Sequence, residues 1–321
     1  MEMQAPISSA ELQARLKQGE RKNTWKMVKK NWDLYLYLVP IAIYFIIFDF
    51  IPMGGLVVAF KNYNIFMGIW ESPWVGFKNF EMMNKLPAFW LWVRNTIMLN
   101  ILGLIFGFPA PIILALMLNE IKVKWFKRTS QSLLYLPHFL SWVILGGMIY
   151  QVLSPKYGIV NEIMRKLGMQ EIYFMSQESW WVAVFIASGI WQGAGWGTIL
   201  YLAALTAIDP SLYEAAKIDG AGRAKQMWHI TLPGIAPTVA VMLIFAIGGM
   251  VSSNFEKSYA LLNPLVNSVG MVISVGVYEL GIVQGSFSVT TAIGMVQSII
   301  SMLLVLLANY LVRKLGHEGL W

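Results

Sequence analysis

Long apolar stretches separated by short polar segments dominate the chain and predict membrane spans. Six stretches of about twenty residues or more carry few charges, at roughly residues 34–60, 92–119, 131–154, 180–208, 235–255 and 289–312. A helix needs about 20 apolar residues to cross the hydrocarbon core of a bilayer. The pattern therefore predicts an all-α polytopic membrane protein with six transmembrane helices. The first stretch is long enough that the helix is expected to tilt or to project beyond the lipid.

A further apolar stretch, residues 265–285, leaves an alternative open. It contains four glycines and Glu279, which are unusual in a simple lipid-facing helix. We expect an external re-entrant or surface helix here. As a seventh span it would reverse the last helix and place Arg313 and Lys314 outside.

The distribution of basic residues predicts the orientation of the chain. Of the 24 Lys and Arg residues, sixteen lie in residues 1–33, 120–130, 209–234 and the C-terminal tail, and seven lie in the loops between. Loops rich in Lys and Arg stay in the cytoplasm, so both termini and the 209–234 segment are predicted to be cytoplasmic. The expected organisation is a basic N-terminal segment, 1–33, a transmembrane domain, 34–313, and a short tail, 314–321. The N-terminal segment reads equally as an amphipathic helix on the inner leaflet or as a disordered tail.

Composition narrows the chemistry that the chain can perform. Hydrophobic residues make up 57% and charged residues 13%, where a soluble domain has about 25% charged. Without cysteine, disulfides, thiol catalysis and thiolate metal sites are excluded. No Gly-x-x-x-x-Gly-Lys-Ser/Thr motif occurs, so no P-loop is predicted, and the three histidines are scattered. The chain is therefore expected to be no enzyme and to hold no metal or cofactor. In a membrane protein a net charge of +7 reflects the excess of basic residues in cytoplasmic loops, so no nucleic-acid partner is predicted.

The polar segment 209–233, between the fourth and fifth spans, predicts an ordered helical element. Asp209 before Pro210 is typical of a helix start, and Gly220 suits the left-handed residue that ends a helix. A second short helix is predicted over residues 223–230, ended by Pro233. Because both ends of this helix–turn–helix continue into membrane helices, a force applied to it would be passed to the spans.

These residues carry a family resemblance. Glu214-Ala215-Ala216, then Gly220, Ile230 and Leu232-Pro233 at this spacing resemble the EAA loop of ABC importer permeases. The stretches IPMGGLVVAFKNYN, FGFPAPIILALMLNE and WGTILYLAAL are similar to the maltose-type carbohydrate permeases. More narrowly, the chain resembles the polysaccharide and oligosaccharide permeases of that class, which include an alginate importer.

The resemblance implies a type I ABC importer permease fold and a set of partners. These are a second, non-identical permease subunit, two ATPase subunits that bind ATP and Mg, an extracytoplasmic solute-binding protein and a carbohydrate substrate. It also implies location in the cytoplasmic (inner) membrane of a bacterium. The residues expected to couple the chain to the ATPase subunits are Glu214, Ala215, Ala216, Ile218, Asp219, Gly220, Ile230, Leu232 and Pro233.

Polar and aromatic residues inside or beside the spans are the candidates for a substrate pathway. Amides in a span usually face a bundle interior or a watered cavity. The candidates are Tyr150, Trp191, Gln192, Trp196, Tyr201, Ser253, Asn254 and Gln297. Aromatic anchoring at the membrane interface and hydrogen bonding between helices are the alternative roles.

Two further alternatives concern the pathway. Arg94 is the only cationic candidate within a predicted span, and it neither supports nor excludes an anionic sugar such as alginate. An ion-coupled secondary transporter is the competing function. It would call for carboxylates near the midplane, whereas Asp49 and Glu256 lie near predicted span ends.

Overall fold

The computed structural model describes residues 27, 29–252, 254–314, 316, 319 and 320. Ser253 and most of the predicted N-terminal segment lie outside them. The chain divides into two compact units, one ending at Val57 and one beginning at Val58. The described residues form no β-strand and only an isolated β-bridge between Lys61 and Trp74. The described fold is therefore all-α, as predicted.

The helices follow one another with short connections. In chain order they are α1 (Trp32–Phe60), α2 (Gly68–Glu71), α3 (Lys78–Lys85), α4 (Pro87–Glu120), α5 (Lys124–Phe139), α6 (Trp142–Val152), α7 (Ile159–Lys166), α8 (Glu178–Thr206), α9 (Pro210–Ile218), α10 (Arg223–Val251), α11 (Phe255–Leu261), α12 (Pro264–Gly270), α13 (Ile273–Val283) and α14 (Phe287–Lys314).

Among the described residues, five of these helices are long and apolar enough to cross a membrane: α1, α4, α8, α10 and α14. Two bent pairs raise the number to as many as seven if each pair is one span. The pair α5 and α6 is bent by 100°, and the pair α12 and α13 by 116°. The predicted third span, roughly 131–154, is therefore a bent pair of helices in the structure. The chain breaks at Leu140 and restarts at α6, where the Ser141 hydroxyl caps the new helix by accepting from the Ile144 amide.

The segment around residues 265–285 is bent and packed into the bundle. Val266, Val272 and Val275 are fully buried beside Trp181 and Leu261. The Trp181 indole nitrogen donates a hydrogen bond of 2.8 Å to the Leu261 carbonyl. A straight, lipid-facing seventh helix would not bury these side chains, so α12 and α13 belong to the protein core.

Helix α10 corrects the predicted end of the polar segment. It begins at Arg223 and continues through a π-helical turn, Met227–Thr231, into the apolar span. Pro233 lies at the start of the regular helix after that turn. Its missing N–H therefore falls where the hydrogen-bond ladder is already interrupted. The predicted second short helix is thus the first part of α10, and Pro233 does not end it.

Glycines allow α8 to pack closely against its neighbours. A methyl group on Gly195 would overlap the Leu134 carbonyl of α5, and one on Gly197 would press on the Pro111 ring of α4. Small residues permit such close approach of helices in membrane proteins. Helix α5 at Leu134 and helix α4 at Pro111 are thereby held close to α8, on different sides of it.

Candidate coupling surface and transport pathway

Helix α9 has a well-defined beginning. The Asp209 carboxylate accepts a hydrogen bond of 2.9 Å from the Ser211 amide, and Pro210 occupies the first helical position. This bond favours the ionised carboxylate and lowers the pKa of Asp209. The N-cap predicted from the sequence is therefore present in the structure.

Gly220 ends α9 in a left-handed conformation, with φ of +72°. The Gly220 amide donates to the Lys217 carbonyl at 3.1 Å, and the Ala221 amide donates to the Ala216 carbonyl at 2.8 Å. This pair of bonds is a Schellman motif, which satisfies carbonyls that a helix end otherwise leaves unpaired. A residue with a Cβ would be strained at this φ.

None of the described residues covers the outer face of α9. Glu214, Ala215, Asp219 and Gly220 are exposed, and Ala216 is partly buried. The Ile218 side chain is 87% exposed. A large apolar side chain presented this fully on an ordered helix is suited to burial in a partner.

Helix α9 is fastened to α10 by side chains. The Tyr213 and Thr231 hydroxyls lie 3.0 Å apart, and the Gln226 amide donates to the Ala221 carbonyl at 2.8 Å. Leu232 packs with Ala115 and other core residues of α4, α8 and α10. Displacement of α9 would therefore be passed to the base of α10 and on to its neighbours.

Of the remaining predicted coupling residues, Ile230 is partly buried and Pro233 is exposed. Both lie on α10, beyond the connection 219–222. A salt bridge of 3.9 Å joins Arg223 to Glu120 at the end of α4. Because both side chains are more than half exposed, this pair contributes little to stability.

A cavity of about 320 Å³ lies between α4, α8 and α11. Its size is within the roughly 300–1,000 Å³ of ligand pockets. The lining includes Asn100, Phe185, Gly189, Gly193, Asn254 and Lys257. Burial lowers the pKa of Lys257, which lies outside the candidate spans, to about 7. The cavity thus combines two amides, an aromatic ring and an amine.

The predicted pathway residues do not share one site, because the structure places them in several different environments. Asn254 lines the cavity and caps α11, where its side-chain oxygen accepts from the Lys257 amide at 3.0 Å. Gln297 borders a separate space near Phe255 and Tyr278 and donates to the Val251 carbonyl at 2.6 Å. Ser253 lies outside the described residues.

The other candidates on α6 and α8 are engaged in packing or face outwards. The Tyr150 hydroxyl donates to the Leu261 carbonyl at 3.0 Å. Tyr201 is only 2% exposed and packs among apolar side chains. Trp191 is 52% exposed. These three residues are not among the lining of the 320 Å³ cavity.

Gln192 and Trp196 support the break between α5 and α6. The Gln192 amide nitrogen lies 3.4 Å from the His138 carbonyl that it donates to. The Trp196 ring stacks on the His138 ring with centroids 4.7 Å apart and an interplanar angle of 3°. Both contacts hold the last turn of α5 against α8.

Comparison with known proteins places these features in a family. Residues 107–317 match the family described as the inner membrane component of binding-protein-dependent transport systems. This chain belongs to that family. The permease is accordingly a multi-pass membrane protein and the transmembrane subunit of a binding-protein-dependent importer, and its fold is that of type I ABC importer permeases.

Three relatives illustrate the match. The polygalacturonan/rhamnogalacturonan transport system permease protein YteP of Bacillus subtilis is 44% identical over 100% of this chain and 99% of its own. A permease chain in the crystal structure of a bacterial ABC transporter involved in the import of the acidic polysaccharide alginate is 39% identical. It has a TM-score of 0.84 and covers 91% of this chain and 99% of its own. A chain of the bacterial alginate ABC transporter in complex with alginate pentasaccharide-bound periplasmic protein is 38% identical, with a TM-score of 0.84 over 92% and 99% of the two chains.

Several residues of the permease site were not singled out from the sequence. Tyr213 and Thr231 are eighteen positions apart, and nothing in their local pattern indicates that their hydroxyls meet. The sequence places Lys257 among the basic residues of an external loop, because nothing in the α11 sequence indicates that this helix folds back against α8. The available signal is a lone lysine that closely follows the polar residues 252–254.

Proposed function

We propose that the permease forms half of the membrane pathway of an ATP-driven importer for an oligosaccharide or polysaccharide. A second, non-identical permease provides the other half. Two ATPase subunits bind ATP and Mg and drive the cycle, and this chain itself holds no cofactor and carries out no hydrolysis. An extracytoplasmic binding protein delivers the substrate, and both termini of the permease are cytoplasmic.

The observation that carries this proposal is the geometry of α9. It presents Glu214, Ala215 and Ile218 on an open face. Tyr213 fastens it to α10, and Gln226 of α10 holds the connection that follows it at Ala221. The small Ala215 permits close approach of a partner helix, and Ile218 fills an apolar pocket on the ATPase. Glu214 pairs with a basic residue there. Closure of the two ATPase subunits would pull α9 and, through it, the base of the bundle.

The carbohydrate assignment is supported by the relatives and by the cavity. The relatives named above transport polygalacturonan, rhamnogalacturonan or alginate. Hydroxyl-rich ligands need polar partners, and the side-chain oxygen of Asn100 and the side-chain nitrogen of Asn254 supply them in one cavity. Alginate itself is one member of the substrate class that fits.

Co-purification tests the proposed assembly. A tag at the C-terminus, gentle solubilisation of native membranes and mass spectrometry would identify the proteins that remain bound. We expect a P-loop ATPase and a second permease with its own EAA loop. Recovery of the chain alone, under conditions in which a known importer stays intact, would contradict the proposal.

A further inference from the structure

The ammonium of Lys257 occupies an aromatic environment beside the cavity. Its Nζ lies 3.8 Å from the centroid of the Phe185 ring and 5.3 Å from that of Trp142. A cation within about 6 Å of an aromatic ring face is attracted by the ring quadrupole. Trp142 is itself only 4% exposed and belongs to the main core, so the rings fix the position of the amine.

Gly189 provides the space that the ammonium fills. A methyl group added to Gly189 of α8 would overlap Nζ of Lys257. A methyl group added to Gly193, one helical turn further along, would meet no atom within 4 Å. Both glycines line the cavity. Gly195 and Gly197 allow close helix packing, whereas the missing side chain at Gly189 makes room for a cation.

Within the described part of the chain, the salt bridges do not include Lys257. A partly buried ammonium without a counter-charge is unfavourable, because the rings replace only part of its hydration. This cost is the cause of the lowered pKa of Lys257. A carboxylate brought into the cavity would restore the charged form and gain a charge-assisted hydrogen bond.

We propose that Lys257 determines charge specificity in the pathway by binding the carboxylate of an acidic saccharide, a class that includes uronate oligomers. The inference rests on the proposed function and names the substrate class of that site. The Asn100 Nδ2 donates to the Met250 and Ser252 carbonyls and the Asn254 side-chain oxygen caps α11. The Asn100 side-chain oxygen and the Asn254 side-chain nitrogen therefore remain in the cavity to meet hydroxyl groups, while the ammonium takes the acid. Arg94 does not share this role, because its guanidinium donates to Asn95 and to the Ser268 carbonyl, away from the cavity lining.

Equilibrium binding to the co-purified importer complex, with the extracytoplasmic binding protein left out, tests the proposal. The probes are a galacturonate trisaccharide and a mannuronate trisaccharide, each as the free carboxylate and as the neutral methyl ester. We expect the wild-type complex to bind at least one carboxylate form tenfold or more tighter than its ester. Lys257→Met should reduce that preference to within about twofold, and Lys257→Arg should retain part of it.

Two further variants separate charge recognition from packing. Lys156 also lies over an aromatic ring, 5.3 Å from the Tyr157 centroid, but it is exposed and away from the cavity, so Lys156→Met should leave the preference unchanged. Gly189→Ala displaces the ammonium and should lower the preference for the carboxylate over the ester. Gly193→Ala should lower that preference less. Both assembly and yield are measured for each variant.

Three results would overturn the inference. In the first, the wild type binds ester and carboxylate equally, which leaves the saccharide importer intact and removes only the role of Lys257. In the second, Lys257→Met weakens both forms alike, which shows a packing role. In the third, neither form binds while acetate does, which makes the site a general anion site. A failure of the proposed function is recognised separately, because the ATPase and the second permease would then be missing from the purified complex.

Discussion

Gly220 gives the sharpest test at the level of a single residue. Gly220→Val places a β-branched residue at φ of +72°, and backbone strain of this kind costs about 1–3 kcal/mol. The strain would be relieved by fraying the last turn of α9 and losing the Schellman bonds. We expect uptake to fall tenfold or more while membrane insertion stays intact, as measured by substrate accumulation and by the amount of protein in the membrane fraction.

The matched control is Gly222→Ala. Gly222 has an ordinary negative φ, and a methyl group there meets no atom within 4 Å. It lies two positions from Gly220 on the same exposed connection, so it controls for a general intolerance of this loop. Equal loss of uptake in both variants would argue against a special role for the left-handed turn, and undiminished uptake in Gly220→Val would argue against coupling through α9.

Single residues also show where sequence reasoning succeeds. Asp209 and Gly220 were predictable because caps depend on chemistry within a few positions of the chain. Trp142 was not, since interface anchoring competes with burial for any tryptophan in an apolar run, and its 4% exposure depends on α8 and α11. Lys257 was missed for the same reason. Its environment is made by residues that are distant in sequence.

The connection between α9 and α10 yields a prediction about an element. Removing the Tyr213 hydroxyl with Tyr213→Phe breaks its bond to Thr231, and one such bond is worth about 0.5–1.5 kcal/mol. We expect the ATPase subunits still to bind and hydrolyse ATP, but with less substrate transported per ATP. Parallel measurement of ATP hydrolysis and uptake in proteoliposomes gives that ratio.

A double-mutant cycle isolates this bond. Thr231→Val should lower the ratio as Tyr213→Phe does, and the double variant should be no worse than the more severe single variant. Additive losses would show that the two hydroxyls act independently. In that case the link between the helices would have to come from Gln226 and Leu232 instead.

The packing of α8 against α5 allows a second prediction for an element. In Gly195→Ala the new methyl group would overlap the Leu134 carbonyl, and backbone that is forced apart in a packed core costs about 1–3 kcal/mol. We expect a lower thermal unfolding midpoint for the purified complex. Gly193→Ala is the control, because no atom lies within 4 Å of its added methyl group. A similar midpoint in both variants would contradict close packing at Gly195.

The elements were predicted well where apolar periodicity alone decides them and poorly where the helix is interrupted. Helices α1, α4, α8 and α14 lie close to the predicted spans. The break after α5 depends on the cap at Ser141 and on support from Trp196, which lies on a different helix. The π turn in α10 similarly allows Pro233 inside a continuous helix, which a rule based on proline alone does not anticipate.

At the scale of the whole molecule, the bent pairs decide the number of crossings. If α5 and α6 form one broken span, then α1, α4, α8, α10 and α14 complete six crossings. Both termini would then lie on the same side as α9. If α12 and α13 also cross, the last helix reverses and Lys314 moves to the opposite side. The distribution of basic residues favours the first arrangement.

The absence of cysteine from the sequence makes this question directly measurable. Single substitutions Ser211→Cys, Lys156→Cys and Lys314→Cys introduce one thiol each at exposed positions. In intact cells treated with a membrane-impermeant maleimide, we expect Lys156→Cys to be labelled, and Ser211→Cys and Lys314→Cys to be labelled only after permeabilisation. The wild-type chain provides the unlabelled control. Labelling of Lys314→Cys together with Lys156→Cys in intact cells would show seven crossings. It would also require α12 and α13 to carry Glu279 across the membrane within the protein interior.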